Sequence, residues 1–146
     1  MVINNLNNGG IKLFEWKEKY SVGVEKFDDQ HKELLRIGRD LVSAFEGTEE
    51  GIDQYDLILD LLNEMQEYTV YHFESEEKAM KEADYPELEK HKKIHQKFVN
   101  KLKEIDTDKI DKNQQEFSME LLNFLATWIE EHILGEDQKY TPYMNN

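Results

Sequence analysis

Apolar residues recur at three- and four-residue intervals over most of the chain, the spacing that gathers them on one face of an α-helix. Four such stretches stand out. The first runs from about Asp29 to Phe45, with His31, Leu34, Leu35, Gly38, Leu41, Val42 and Phe45 inward. Gly47 is expected to stop it and Gly51 to shape the loop. The second runs from about Asp53 to Ala83, with Ile58, Leu61, Leu62, Met65, Tyr68, Thr69, His72, Phe73, Glu76 and Met80 inward. The third spans about Pro86 to Ile105 and turns Leu88, His91, Ile94, His95, Phe98, Val99 and Leu102 inward. The fourth spans about Lys112 to Leu134 and is expected to bury Phe117, Leu121, Phe124, Leu125, Trp128, Ile129 and His132.

The connections are short and polar. Asp84–Tyr85–Pro86 turns the chain, with Pro86 suited to a first helical position, where its missing N–H costs little. Asp106 to Asp111 looks like a polar turn, and Gly135 ends or loosens the fourth helix. Long helices joined this way favour antiparallel neighbours, so the expected fold is all-α, an up-down-up-down four-helix bundle. Before it, Phe14, Trp16, Tyr20, Val22, Val24 and Phe27 are too many apolar groups for a free tail. Residues 1 to about 27 are therefore expected to form an arm packed on the bundle, within a single domain spanning 1–146.

Composition narrows the chemistry. With no cysteine, thiolate zinc sites, cysteine-held iron–sulfur clusters and disulfides are excluded, so nitrogen and oxygen must hold any metal. A formal net charge of −14 repels a phosphate backbone and an anionic membrane surface, which argues against nucleic acid or membrane as partner. The Asn-rich start from Met1 to Gly10 is no secretory signal. No apolar run approaches the roughly 20 residues of a spanning helix. A cytoplasmic setting is the resulting expectation.

The five histidines change the picture most. His72 precedes Glu76 by four residues and His91 precedes His95 by four, so each pair lies on one helix face a turn apart. His132 precedes Asp137 by five, which overshoots the face of a regular helix. Gly135 inside that step is expected to relax the turn and let Asp137 swing back. His31 stands upstream and continues its own apolar stripe. A lone inward histidine is ordinarily a hydrogen-bonded core residue. Five inward imidazoles with two carboxylates cost several kcal/mol without partners, and a metal centre satisfies them together. Imidazole with carboxylate suits iron, zinc or manganese. Seven donors exceed what one zinc takes. Two six-coordinate metals bridged by two carboxylates use them well, with imidazoles split three and two and one coordination position open.

In these segments the chain resembles the hemerythrin family, specifically its single-domain bacterial members, from Phe14 to Tyr140. The likeness is carried by Trp16 with Tyr20–Ser21–Val22–Gly23, by Asp29–Gln30–His31–Lys32 and by His72–Phe73–Glu74–Ser75–Glu76. It continues through Tyr85–Pro86, His91 to His95 with Phe98, Trp128 to His132 and Asp137 to Tyr140. The resemblance implies two iron ions with an oxide or hydroxide bridge. His91, His95 and His132 would hold one iron and His31 and His72 the other, with Glu76 and Asp137 bridging. It also implies an apolar oxygen pocket, for which Leu134, Phe73 and Trp128 are candidates.

The expected function is reversible dioxygen binding at the second iron, for storage, transport or delivery to an oxygen-consuming enzyme. The alternatives are oxygen or redox sensing, iron or nitric oxide handling, and a di-iron oxidase or peroxidase. Carboxylate-rich di-iron proteins place Glu-x-x-His pairs on two helices. Here the residues three before the histidines are Asp28, Thr69, Leu88, Lys92 and Ile129, which argues for a binding protein rather than an enzyme.

Overall fold

A computed structural model describes residues 13–111 and 115–144. Its helices are α1 (Glu25–Glu49), α2 (Tyr55–Glu82), α3 (Leu88–Lys103), α4 (Thr107–Asp111), α5 (Gln115–Glu131) and α6 (Gln138–Met144). A π-helical turn, His132–Asp137, joins α5 to α6 without a break, and a 3-10 turn, Glu18–Tyr20, precedes α1. The four long helices form the expected antiparallel bundle, with α2 packed on α1 and α3 and α5 on α1. The Asn-rich tip and the expected start of the fourth helix at Lys112 lie outside the described residues. Among those described, no helix is long and apolar enough to cross a membrane.

The helix ends differ from the sequence reading in instructive ways. Helix α1 runs through Gly47, whose missing Cβ leaves room for the Gln54 side chain. Gly51 ends it instead, in the left-handed region at φ 91°. The Gly51 N–H donates to Thr48 O and the Ile52 N–H to Gly47 O, both at 3.0 Å, closing the last turn in a Schellman motif. Asp84, at φ 56°, plays the same part after α2, with the Tyr85 N–H on Met80 O. Pro86 sits in the turn two residues before α3, not at its first position. The segment taken for a polar turn contains α4. Asp106 accepts from the Asp108 N–H, as a helix-starting cap does, and Ile110 is driven into the core.

The arm packs as expected, although Phe27 already belongs to α1. Phe14 lies against Gly38, where a Cβ would stand 2.2 Å from its ring, and Arg39 Nη1 donates to Phe14 O at 2.7 Å. Further along, Asp28 accepts from the Ser21 hydroxyl and the Val22 N–H. Gln138 and Thr141 of α6 donate to Ser21 O and Val22 O, so the arm ties the two ends of the chain together.

Apolar burial divides into a large cluster, running from Phe14 and Leu41 to Leu125 and Ile133, and a smaller one of Val22, Phe27, Met80, Tyr85 and Tyr140. On α5 the buried line is Ser118, Leu122, Leu125 and Ile129. Phe124, expected inward, is 38% exposed, because Leu122 takes the central place.

Candidate metal centre

Four helical segments each deliver buried donors to one layer. His31 comes from α1, His72 and Glu76 from α2, His91 and His95 from α3, and His132 and Asp137 from the two ends of the π-helical turn. All seven sequence-identified donors meet. Glu76, His91, His95, His132 and Asp137 form one group whose ligand atoms lie within 4.8 Å of one another. His31, His72, Glu76 and Asp137 form a second group within the same limit, so the two carboxylates are common to both.

The distances show how the carboxylates are shared. Asp137 turns Oδ1 to His91 Nε2 and His132 Nε2, each at 3.0 Å, and Oδ2 to His31 Nε2 at 3.1 Å. Glu76 sets Oε1 between His72 Nε2 at 3.3 Å and His95 Nε2 at 3.5 Å, with Oε2 3.5 Å from His31 Nε2.

Asp137 reaches this position through the π-helical turn. A π turn closes i→i+5 hydrogen bonds, so residues five apart realign on one face and the awkward step from His132 becomes the natural one. The relaxation at Gly135 expected from the sequence takes this form: the turn widens, with no excursion to positive φ at Gly135. Gly135 is exposed, and a Cβ there would meet nothing within 4 Å.

A second ring of contacts orients the donors, and most of it escaped the sequence reading. Gln30 Oε1 accepts from His72 Nδ1 at 2.6 Å, and Glu77 Oε2 accepts from His95 Nδ1 at 2.8 Å. Each acceptor fixes the proton on Nδ1 and leaves the Nε2 lone pair facing the layer. Tyr140 donates its hydroxyl to Glu76 Oε2. Aromatic rings fix orientation as well. Phe73 stacks on His95 at 3.6 Å between centroids, and Trp128 stacks on His132 at 4.4 Å.

Phe73 and Trp128 also line a cavity of about 10 Å³ beside His31 and His72, with Leu34, Phe98, Ile129 and Ile133 completing its apolar wall. That is room for about one small molecule. Leu134 is not part of this wall; it is half-buried against the large apolar cluster, and its neighbour Ile133 faces the cavity.

Burial and charge pull the imidazoles in opposite directions. Burial dominates at His72, lowered to about 4, and at His95, lowered to about 2 with help from His132 and His91. These two are neutral near pH 7. At His31, burial is outweighed by contact with Asp137 and Glu76, which raises it to about 9. Asp137 raises His132 in the same way. Against its own burial, Asp137 is held well below the carboxylate range by His132, His31 and His91. Burial first, and then Glu76 and Asp137, push Tyr140 well above its usual value, so its phenol keeps the proton that it donates.

The donor set fits metal ions. Two nitrogens bound at right angles at about 2.1 Å stand about 3 Å apart. His95 Nε2 and His132 Nε2 are 3.0 Å apart, as are both imidazole contacts to Asp137 Oδ1. His31 Nε2 and Asp137 Oδ2, though 3.1 Å apart, make no properly angled hydrogen bond, and Glu76 Oε1 has no hydrogen-bond partner. These lone pairs converge on common points between the side chains. A buried layer so arranged is satisfied by cations that replace the protons on His31 and His132.

Comparison with known proteins agrees. Residues 22–144 match the family model described as the hemerythrin HHE cation binding domain. A bacteriohemerythrin of Clostridium acetobutylicum is 34% identical over 128 residues, covering 88% of this chain and 98% of the relative. A bacteriohemerythrin of Stenotrophomonas maltophilia is 29% identical, over 88% of this chain and 79% of its own. A myohemerythrin of Theromyzon tessulatum is 32% identical, over 87% and 90%. With a family match across nearly the whole described bundle, and relatives aligned over most of their own length, the chain belongs to the hemerythrin family, and a di-iron centre is what that membership implies.

Proposed function

We propose that this protein binds dioxygen reversibly at a non-haem di-iron centre, for storage, transport or delivery. In this reading His91, His95 and His132 hold one iron, His31 and His72 hold the other, and Glu76 and Asp137 bridge them. When bound, the iron pair supplies the electrons that dioxygen binding draws on. The protein does the rest. Gln30 and Glu77 aim imidazole lone pairs, and Tyr140 keeps a proton on its own oxygen and donates it to Glu76.

The observation that carries this reading is the small apolar cavity beside the two-imidazole half. Its walls of Leu34, Phe98, Ile129 and Ile133 admit a small neutral guest and discourage bulk water, which would otherwise promote irreversible oxidation. The binding reading is preferred to an enzymatic one because all five histidines already belong to the layer. None is left over as an imidazole acid or base.

The test is to load the protein with iron, reduce it anaerobically and admit air. A carrier shows a visible charge-transfer band that fades when oxygen is removed and returns on its readmission. Steady consumption of oxygen with added reductant, without such a band, would instead mark an oxidase.

A further inference from the structure

The two halves of the metal layer are held by chemically different partners. On the two-imidazole side, the His72 Nδ1–H faces the neutral amide oxygen of Gln30. On the three-imidazole side, the His95 Nδ1–H faces the carboxylate of Glu77. An ionised carboxylate is an acceptor only, and its hydrogen bond from N–H is of the stronger, charge-assisted kind. It draws the Nδ1 proton towards itself and raises electron density at Nε2, making the imidazole a better donor to a cation. Its negative charge also favours positive charge nearby. An amide carbonyl orients the ring equally well but adds no charge.

Position supports selectivity. Glu77 follows Glu76 directly on α2, yet its side chain points away from the layer, to the floor of a surface cleft of about 280 Å³ lined also by Glu74, Lys92, Gln96 and Lys103. It is 21% exposed, whereas Glu76 is fully buried. Glu77 therefore does not join the donor set. It touches the layer only through His95, whose ring is clamped on its other side by the parallel face of Phe73.

Resting on the two-metal reading above, we propose that Glu77 is a positioning residue that selectively strengthens the metal position held by His91, His95 and His132. The two positions are thereby unequal by more than their imidazole count. The three-imidazole position fills first and keeps its ion, while the position beside the cavity remains the more labile.

The experiment uses cobalt(II) alone as probe, titrated into the metal-free full chain and followed by calorimetry and by the visible spectrum. Wild type is expected to take two ions in two resolved steps. Glu77→Gln keeps the size and the hydrogen bond but removes the charge. It is expected to weaken the tighter step about 10- to 100-fold, the range typical of outer-shell changes, and to leave the weaker step unchanged. Gln30→Leu is expected to do the reverse. The nitrogen-15 resonance of His95 Nδ1 should shift in the Gln variant, with the thermal midpoint of the metal-free protein unchanged.

Equal weakening of both steps by Glu77→Gln, or no change in either, overturns the selective role. Fewer than two cobalt ions bound to wild type would overturn the dinuclear reading itself, a result seen before any variant is made.

Discussion

The donor layer and the large apolar cluster beneath it are built from the same helices by opposite means. In the cluster, residues such as Leu41, Leu122 and Leu125 are fully buried and share the load with many neighbours. Any apolar group of similar volume serves there at modest cost. In the layer, each donor has one or two partners at about 3 Å, and no other residue type at that position supplies the same atom. Stability in this molecule is distributed, whereas its chemistry is concentrated in a few atoms.

The sharpest way to break this contrast is Glu76→Ala. It removes the carboxylate common to both donor groups. Metal content after iron loading should fall below two per chain, with loss of the oxygen-dependent spectrum. Two irons with the wild-type spectrum would show that Glu76 is not a bridge. Leu122→Ala should do the opposite, lowering stability by about 2–5 kcal/mol in denaturant melts while metal stoichiometry stays the same.

Gly38→Ala should cost about 1–3 kcal/mol, since its Cβ overlaps the Phe14 ring. The damage should register as loosening of the arm, measured by proteolysis near Phe14. The smallest effect belongs to Gly135→Ala. With open space at the Cβ and no positive φ, it should be neutral or stabilising by up to about 1 kcal/mol. Metal binding should be unaltered. Lost metal in this variant would mean that glycine's freedom, rather than the π-helical register, brings Asp137 round.

Much of this was legible in the chain. Histidine is scarce, so five placed in register with apolar stripes identified the layer before its geometry was known. The bundle followed from helical periodicity and short connections. What stayed hidden was hidden for physical reasons. Glu77 is one of 32 acidic residues, and nothing in its type separates it from a solvated face. Gln30 and Tyr140 lie within segments that carry the family resemblance, but their hydrogen bonds to His72 and Glu76 cross between helices and have no sequence period. Phe124 was misplaced because Leu121, Leu122, Phe124 and Leu125 offer two overlapping stripes, and only packing chooses between them. The cavity wall at Ile129 and Ile133 was obscured in the same way, since Leu134 and Ile133 are adjacent and equally apolar.

The π-helical turn between His132 and Asp137 has one further consequence. A helix with one surplus residue carries a phase change, and every side chain after it is set by that offset. Tyr140 meets Glu76, and Gln138 and Thr141 meet the arm, only because the surplus is retained. Removing any single residue from 133–136 would let ordinary winding resume and swing the whole C-terminal segment by about 100°. The length of this short stretch is thus as strictly constrained as the identity of any donor, even though some of the residues within it are interchangeable.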